Sequence, residues 1–184
     1  YEGDYVSVNL LNQLQKKAEK INKWKDFSEK ITLGRIIKSD EETEILQKTI
    51  NISDSAFNNV SKKIVTGMTE KDVGWEMEKE MRELGAESPS FDTIVASGIN
   101  GSKPHHSPTD KLISDNEAIT IDMGAKYKGY CSDLTRTIFI GDPDEKFKKI
   151  YTTVLKAQLI SMETAKPEMT GEEIDKIARD IITS

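Results

Sequence analysis

The sequence predicts an α+β fold, in which long helices and a group of strands occupy separate stretches of the chain. Apolar residues recur at helical spacing over most of residues 40–85 and again from residue 144 onward. Between these stretches the apolar period changes to two, which predicts strands at 91–97, 117–123 and 130–140. A helix-starting motif also occurs twice, as GMTEKDV at 67–73 and as EMTGEEI at 168–174.

The N-terminal segment is predicted to form a strand, a helix and a second strand, at 5–8, 9–22 and 24–27. A unit this short buries little apolar surface by itself. We therefore interpret residues 1–30 as the tail of an N-terminal domain whose remainder is absent, and residues 31–184 as part of the main domain.

Two consecutive helices follow in the predicted main domain. Ser39 is placed to cap the first, with acidic residues in its first turn. Its predicted apolar face consists of Leu46, Ile50, Phe57, Val60 and Ile64. Thr69 and Asp72 predict a capping box at the start of the second helix. The apolar stripe of that helix consists of Val73, Met77, Met81 and Leu84.

The repeated motif suggests two units, each built from two helices followed by strands. The first unit would cover residues 41–141, and the second would begin near residue 142. The strands of the second unit would lie beyond Ser184, so we expect the chain to be incomplete at its C-terminus. A chance match is the alternative, because Met-Thr followed by acidic residues is an ordinary helix start.

Composition excludes several classes of protein. A net charge of −6 argues against a nucleic acid or an anionic membrane as the main partner. No stretch approaches the roughly 18 apolar residues of a membrane span, and the N-terminus lacks the pattern of a signal peptide. Cys131 is the only cysteine, which excludes an internal disulfide and favours a reducing, cytoplasmic location.

Two aspartates, Asp122 and Asp133, lie in adjacent predicted strands joined by a hairpin. With a turn centred on Tyr127-Lys128 they would be directly opposed, with Cβ atoms about 4.5–5.5 Å apart. Opposed like charges repel, and a divalent cation would compensate them. Carboxylate oxygens suit Mn, Mg, Zn or Co and occur in two-metal sites. The alternative is that the aspartates face solvent, or pair with Arg136 or a nearby lysine.

The remaining candidates are His105, His106 and Cys131. Neighbouring histidines in an extended loop diverge, which is poor geometry for one metal ion. Beside a metal site, one of them could hydrogen-bond a substrate carbonyl or a developing oxyanion. A solvated pair is the alternative. Cys131 shares the predicted face of Asp133 but has no local partner, so we interpret it as a small core residue.

Four segments together resemble the M24 peptidase family, in its Xaa-Pro aminopeptidase and prolidase branch. They are LGRIIKSDEETEI at 33–45, TGMTEKDV at 66–73, FDTIVASGINGSKPHHSPTD at 91–110 and IDMGAKYKGYCSDLTRTIFIG at 121–141. The resemblance implies a pita-bread (creatinase/aminopeptidase-like) catalytic domain. This chain would hold its first half plus the start of its second half.

The resemblance also implies an exopeptidase that cleaves N-terminal Xaa-Pro bonds through a metal-bridging hydroxide, with two divalent metal ions (Mn, Co or Zn). By position, Asp122 and Asp133 match two metal ligands, and His105 matches the histidine that contacts substrate or stabilises the transition state. Thr135 would support the ligands. The family's other ligands, one His and two Glu, belong to the second half, so we expect this chain to be inactive alone.

The expected partner is a peptide with proline at position two. A homodimer or higher oligomer is also expected, because half a sheet would expose an edge. One alternative is a non-catalytic pita-bread module that binds proteins or peptides, against which the retained aspartates argue. Another is a methionine aminopeptidase, against which GYCSDLTRT and the N-terminal segment argue. Creatinase is a weaker relative, because it does not use the metal pair. The sequence does not separate an aminopeptidase from a dipeptidase.

Overall fold

The N-terminal part of the structure consists of helices and irregular segments. The structure is a computed structural model that describes residues 1–18, 20–21 and 23–184. Contacts divide the chain into two units, Tyr1–Lys48 and Thr49–Ser184. The first unit contains helices α1 (Val8–Lys17) and α2 (Ser28–Ile36) and the start of α3 (Asp40–Val60). Helix α2 was not predicted.

The strands predicted at 5–8 and 24–27 are wrong. Ser7 instead caps α1, because its Oγ accepts a hydrogen bond from the backbone N–H of Leu10 at 3.2 Å. Asp26 accepts hydrogen bonds from the backbone N–H and the hydroxyl of Ser28, a local turn that competes with strand pairing. Helix α1 confirms the start of the helix predicted at 9–22, but the helix ends at Lys17, with Ala18 as its C-cap, so the predicted extension beyond that point is wrong; residue 22 itself lies outside the described residues.

Helices α3 and α4 (Glu70–Glu83) begin as the sequence predicts. Ser39 and Glu42 exchange hydrogen bonds at the start of α3, and Thr69 and Asp72 form a complete capping box at the start of α4. A short 3-10 turn, Ser61–Lys63, follows α3. The predicted apolar stripe of α4 is confirmed in its central members, which are fully buried: Val73, Met77 and Met81.

The predicted apolar face of α3 is wrong in part. Ile50 is 43% exposed, whereas the buried positions are Thr49, Ile52, Ser53, Ala56 and Val60. A polar residue can occupy this face because it finds a partner. The Oγ of Ser53 lies 2.5 Å from the Oγ of Ser132 and accepts a hydrogen bond from the backbone N–H of Ala125.

The strands form two small antiparallel sheets. One has the order β2 (Ile94–Ser97), β3 (Glu117–Met123), β6 (Leu134–Ile140), and the other has the order β1 (Ser88–Pro89), β4 (Ala125–Tyr127), β5 (Tyr130–Cys131). A 3-10 helix, Gly98–Ser102, follows β2. Alternate residues of the central strand β3 are fully buried in the core formed with α3 and α4: Ile119, Ile121 and Met123.

The hairpin that joins β4 to β5 corrects the predicted register. Tyr127 pairs with Tyr130, so the turn consists of Lys128 and Gly129, with φ angles of +48° and +80°. Two consecutive positive φ angles define a type I′ turn. The turn therefore lies one residue later than predicted. As a result, Asp122 pairs with Thr135 rather than with Asp133.

A second helix pair ends the chain, α5 (Glu145–Thr164) and α6 (Gly171–Thr183). Thr170 and Glu173 form a capping box at the start of α6, at the positions that correspond to Thr69 and Asp72 in the repeated motif. The repeat therefore describes two long helices that are each followed by a capped helix. None of the helices within the described residues combines the length and apolar composition that crossing a lipid bilayer requires.

Candidate metal centre

The predicted site residues Asp122, Asp133 and His105 line one cleft of about 440 Å³. The other residues that line it are Phe91, Asp92, Ile94, His106 and Ser107. The cleft lies along one end of the sheet β2–β3–β6, where the histidine loop, defined as residues 103–110, passes beside the aspartates. The structure thus brings together residues from three separate sequence segments.

Asp122 is held in the central strand of its sheet. It pairs with Ile94 of β2 on one side and with Thr135 of β6 on the other. Because Ile121 and Met123 point into the core, the intervening carboxylate points to the cleft side. The hydroxyl of Thr135 donates a hydrogen bond to Oδ1 of Asp122 at 2.8 Å, which is the kind of supporting contact that the family resemblance implies for Thr135.

Asp133 lies in the irregular step between β5 and β6. It is exposed and has no hydrogen bond or ion pair with any residue that the structure describes. The hairpin places it opposite Gly124, so it is a diagonal neighbour of Asp122. The two carboxylates lie on the same side of the hairpin, as predicted, but the prediction that they directly oppose each other is wrong.

The alternative in which Arg136 neutralises the aspartates is not observed. Arg136 lies 3.8 Å from Asp54 and donates to the backbone oxygen of Thr135. Within the described ranges, neither Asp122 nor Asp133 forms an ion pair with a lysine, arginine or histidine. Two adjacent, uncompensated carboxylates fit the oxygen ligands of a divalent metal ion.

These two aspartates would not complete a metal site by themselves. Among the residues described by the structure, no group of three or more His, Cys, Asp or Glu side chains is placed to hold a metal ion. Asp122 has its Oδ1 engaged with Thr135, and Asp133 has both oxygens available. The two residues therefore fit as two ligands of a larger site.

The two histidines have different environments. His105 is exposed at the edge of the cleft, whereas His106 is only 8% exposed and lies 2.8 Å from Oε2 of Glu70. A carboxylate only accepts hydrogen bonds, so Nε2 of His106 carries a hydrogen and donates the hydrogen bond to Glu70. His105 therefore remains the histidine that is available to a bound molecule, and His106 belongs to the supporting structure.

Sequence reasoning missed Glu70, which is fully buried at the first residue of α4. Burial alone would raise the pKa of this carboxyl group. Hydrogen bonds from Asn100, His106, Ser97 and Thr109 outweigh burial and hold the pKa of Glu70 well below its ordinary value. The only sequence signal was an acidic residue in the first turn of a helix, which is common and needs no further role.

A close backbone approach at Gly124 shapes the hairpin beside both aspartates. A Cβ atom at this position would lie 2.0 Å from the backbone oxygen of Ser132 and 2.1 Å from Oγ of Ser90. Ser90 ties the two strands together, because its N–H donates to the oxygen of Gly124 and its hydroxyl to the oxygen of Ser132. Only glycine fits this crossing without movement of the chain.

Cys131 corrects another prediction. Its thiol is free and exposed in β5, where Cys131 pairs with Lys126. The expectation of a small core residue is therefore wrong. Alternation of side chains along the strand places the next residue, Ser132, in the core instead, where it is 6% exposed.

Comparison with known proteins identifies the fold and then the family. The fold is the pita-bread fold of prolidases and X-Pro aminopeptidases, as predicted. The structure matches the X-Pro aminopeptidase from Thermotoga maritima with a TM-score of 0.92 and 36% identity, covering 99% of this chain and 51% of that chain. Residues 44–184 match Metallopeptidase family M24, so the chain belongs to this family.

Two curated relatives show the same family. The chain is 45% identical over 157 residues to the uncharacterized peptidase YqhT of Bacillus subtilis. The matched region covers 85% of this chain and 44% of that protein. It is 44% identical over 177 residues to a Xaa-Pro dipeptidase of Pyrococcus horikoshii, which covers 96% of this chain and 50% of that protein. The chain thus spans about half the length of the curated relatives it matches.

Proposed function

We propose that the full-length protein is a metal-dependent exopeptidase that cleaves the bond between an N-terminal residue and a following proline. The observation that carries the proposal is the pair of uncompensated carboxylates, Asp122 and Asp133, in one cleft with His105. The relatives support the substrate class, because they include a Xaa-Pro dipeptidase and an X-Pro aminopeptidase.

Asp122 and Asp133 supply two ligands to a pair of divalent metal ions, with Mn, Co or Zn as candidates, and the remaining ligands come from outside residues 1–184. When bound, such ions activate water and polarise the scissile carbonyl. The protein's own part is to hold the carboxylates. Thr135 fixes Oδ1 of Asp122 and leaves its Oδ2 free to face the cleft.

His105 has the role of a hydrogen-bond donor to the substrate. It is exposed on the same cleft as the aspartates, without a hydrogen bond to any described residue. Its ring is therefore free to contact the carbonyl oxygen of the scissile bond. A donor aimed at that oxygen stabilises the negative charge that develops during attack.

The test measures metal binding and hydrolysis in the full-length protein. We expect the metal-loaded protein to hydrolyse Ala-Pro but not Ala-Ala or Met-Ala. Asp122→Asn and Asp133→Asn keep the side-chain shape, and each should weaken metal binding by roughly tenfold or more. Asp92→Asn is the matched control, because it removes a carboxylate from the same cleft that is not a proposed ligand.

Three results would contradict this proposal. Wild-type protein that is loaded with Mn, Co or Zn and cleaves neither the dipeptide Ala-Pro nor the tripeptide Ala-Pro-Ala would refute the activity. Unchanged metal affinity in both asparagine variants would refute the ligand assignment. Cleavage of Met-Ala in preference to Ala-Pro would instead favour a methionine aminopeptidase.

We also propose that residues 1–184 alone are inactive, since they lack a complete ligand set among the described residues.

Further proposals concern domain limits, assembly and location. We retain a boundary near residue 30, a homodimer or higher oligomer, and a cytoplasmic location as proposals. Strands β2 and β6 each have one unpaired side in their sheet within the described residues, which supports association through a strand edge. Light scattering on residues 1–184 tests this association, and a monomer at all concentrations would contradict it.

A further inference from the structure

We propose that Glu70 is a positioning residue for catalysis, which fixes the histidine loop (residues 103–110) relative to the strand of Asp122 and acts through His105. This inference rests on the proposed function. Glu70 contacts neither the cleft nor the aspartates, since it is absent from the cleft lining and fully buried at the start of α4. Its effect must therefore pass through the groups that it holds.

The carboxylate of Glu70 divides its hydrogen bonds between two segments. Oε1 accepts from the backbone N–H and hydroxyl of Ser97 at 2.8 and 2.9 Å, and from Nδ2 of Asn100 at 3.0 Å. Oε2 accepts from Nε2 of His106 at 2.8 Å, and from the backbone N–H and hydroxyl of Thr109 at 3.1 and 2.7 Å. One rigid planar group thus joins the end of β2 to the histidine loop.

This connection relates the two parts of the candidate site. Ser97 ends β2, and the same strand pairs Ile94 with Asp122. His106 follows His105 directly, so the ring held by Glu70 sets the backbone from which His105 extends. The backbone of the loop is also bound to the start of α4, because the N–H of Lys71 donates to the oxygen of Thr109. Glu70 therefore defines where His105 stands relative to Asp122.

A purely structural role does not explain why a buried glutamate occupies position 70. A buried charge is costly to desolvate, and apolar residues of similar volume often stabilise a fold as well or better. No lysine or arginine in the described chain contacts Glu70 directly. Lys111 reaches Ser97, and Lys103 reaches Asn100, so the positive charges lie one hydrogen bond away.

The internal repeat provides a comparison within the same chain. Both capped helices begin with the same capping box, but the position of Glu70 in α4 corresponds to Gly171 in α6. Nothing lies within 4 Å of a Cβ built on Gly171. The helix start itself therefore needs no buried carboxylate. The carboxylate occurs in the copy that adjoins the candidate site.

The test compares Glu70→Gln with Glu83→Gln, an exposed glutamate on the same helix, in the metal-loaded full-length protein. A glutamine amide nitrogen cannot accept the hydrogen bonds on one side of the group. We expect Glu70→Gln to lower kcat roughly 10- to 100-fold, because small misplacement of a catalytic group has effects of this size. The KM and the metal affinity of Glu70→Gln should stay within about threefold of the wild-type values. Glu83→Gln should match wild type in kcat, KM and metal affinity.

A double-mutant cycle separates positioning from general damage. If Glu70 acts through His105, Glu70→Gln should change kcat by less than about twofold in a protein that already carries His105→Ala. A merely structural role would lower kcat by the same factor in both backgrounds. Hydrogen exchange followed by mass spectrometry should show faster exchange of residues 97–110 in Glu70→Gln and unchanged exchange in α5.

Several outcomes would overturn the inference. They are an unchanged kcat in Glu70→Gln, an equal loss in the His105→Ala background, or a loss of metal affinity beyond about tenfold. If Glu70→Gln does not fold, Glu70→Asp replaces it, because a shorter carboxylate keeps the charge but cannot span both segments. A native kcat in Glu70→Asp would then refute the inference. Wild-type protein without Xaa-Pro activity would refute the proposed function first, so the two failures are distinguishable.

Discussion

Replacing Gly124 by alanine tests the link between the hairpin and the aspartates. The added Cβ would lie 2.0 Å from the backbone oxygen of Ser132, whereas ordinary contacts begin at 3.4 Å. The two strands must therefore separate by about 1 Å or more, a displacement that small-to-large changes in packed sites resist at roughly 1–3 kcal/mol. Both hydrogen bonds of Ser90 would be strained, at about 1 kcal/mol each.

Together these effects predict a loss of about 3–5 kcal/mol in the free energy of unfolding, out of the roughly 5–15 kcal/mol that a domain has. Gly124 lies two residues after Asp122 and opposite Asp133. The same displacement should therefore weaken metal binding by about tenfold, since ligand geometry controls affinity. Urea unfolding followed by circular dichroism measures the first effect, and calorimetric metal titration of the full-length protein measures the second.

The matched control is Gly171→Ala. Gly171 begins α6, and a Cβ there has open space, so this variant should be neutral or gain up to about 1 kcal/mol from helix propensity. A Gly124→Ala protein within about 0.5 kcal/mol of wild type would refute the packing argument. If Gly124→Ala loses stability as expected but binds metal with unchanged affinity, the crossing at Gly124 does not position the aspartates.

The remaining predictions concern the turn, the caps and pH. Lys128→Asn should raise the free energy of unfolding by about 0.5 kcal/mol, because asparagine tolerates the φ of +48° better; a lower thermal midpoint would contradict the turn assignment. Thr69→Ala should cost about 1 kcal/mol by urea unfolding, and Thr170→Ala should cost a similar amount if the two capping boxes are equivalent. Burial raises the pKa of Glu70, but its hydrogen bonds lower that pKa by more, to below the ordinary value of 4.5. This group therefore stabilises the fold above pH 4.5, and its contribution is lost as pH falls through that value towards the lower pKa of the folded state. The stability difference between wild type and Glu70→Gln should accordingly narrow below pH 4.5 in urea titrations, and a difference that stays constant would contradict the hydrogen-bond account.

The hairpin shows how far the sequence alone determines the site. Alternation of apolar residues predicted the bounds of β3 without error, because its inward apolar residues are fully buried: Ile119, Ile121 and Met123. The same pattern does not determine the turn. Lys128-Gly129 is a less common type I′ pair than Asn-Gly, and shifting the turn by one residue moves each partner by two. A shift of two keeps the face of every side chain, so Asp122 and Asp133 stayed on one side despite the wrong register.

The errors in the core have a different cause. The sequence predicted an apolar face for α3, but Thr49 and Ser53 are buried there while Ile50 is not. Ser53 is buried because Ser132 and the backbone of Ala125 offer it hydrogen bonds, and these partners are more than 70 residues away in the chain. Helical periodicity contains no information about such partners. A polar residue at a core position is predictable only when its partner is known.

Glu70 shows why only part of the candidate site could be proposed from the sequence. Asp122, Asp133 and His105 became candidates because the segments around them resemble motifs of the M24 family. Glu70 is indistinguishable in sequence from the solvated acids that begin many helices. Its partners, Ser97, His106 and Thr109, lie 27–39 residues away and meet only when α4, β2 and the histidine loop pack together. A group whose role consists of holding others in place therefore becomes visible only in the folded chain, and the double-mutant cycle with His105 is the measurement that decides whether that role reaches catalysis.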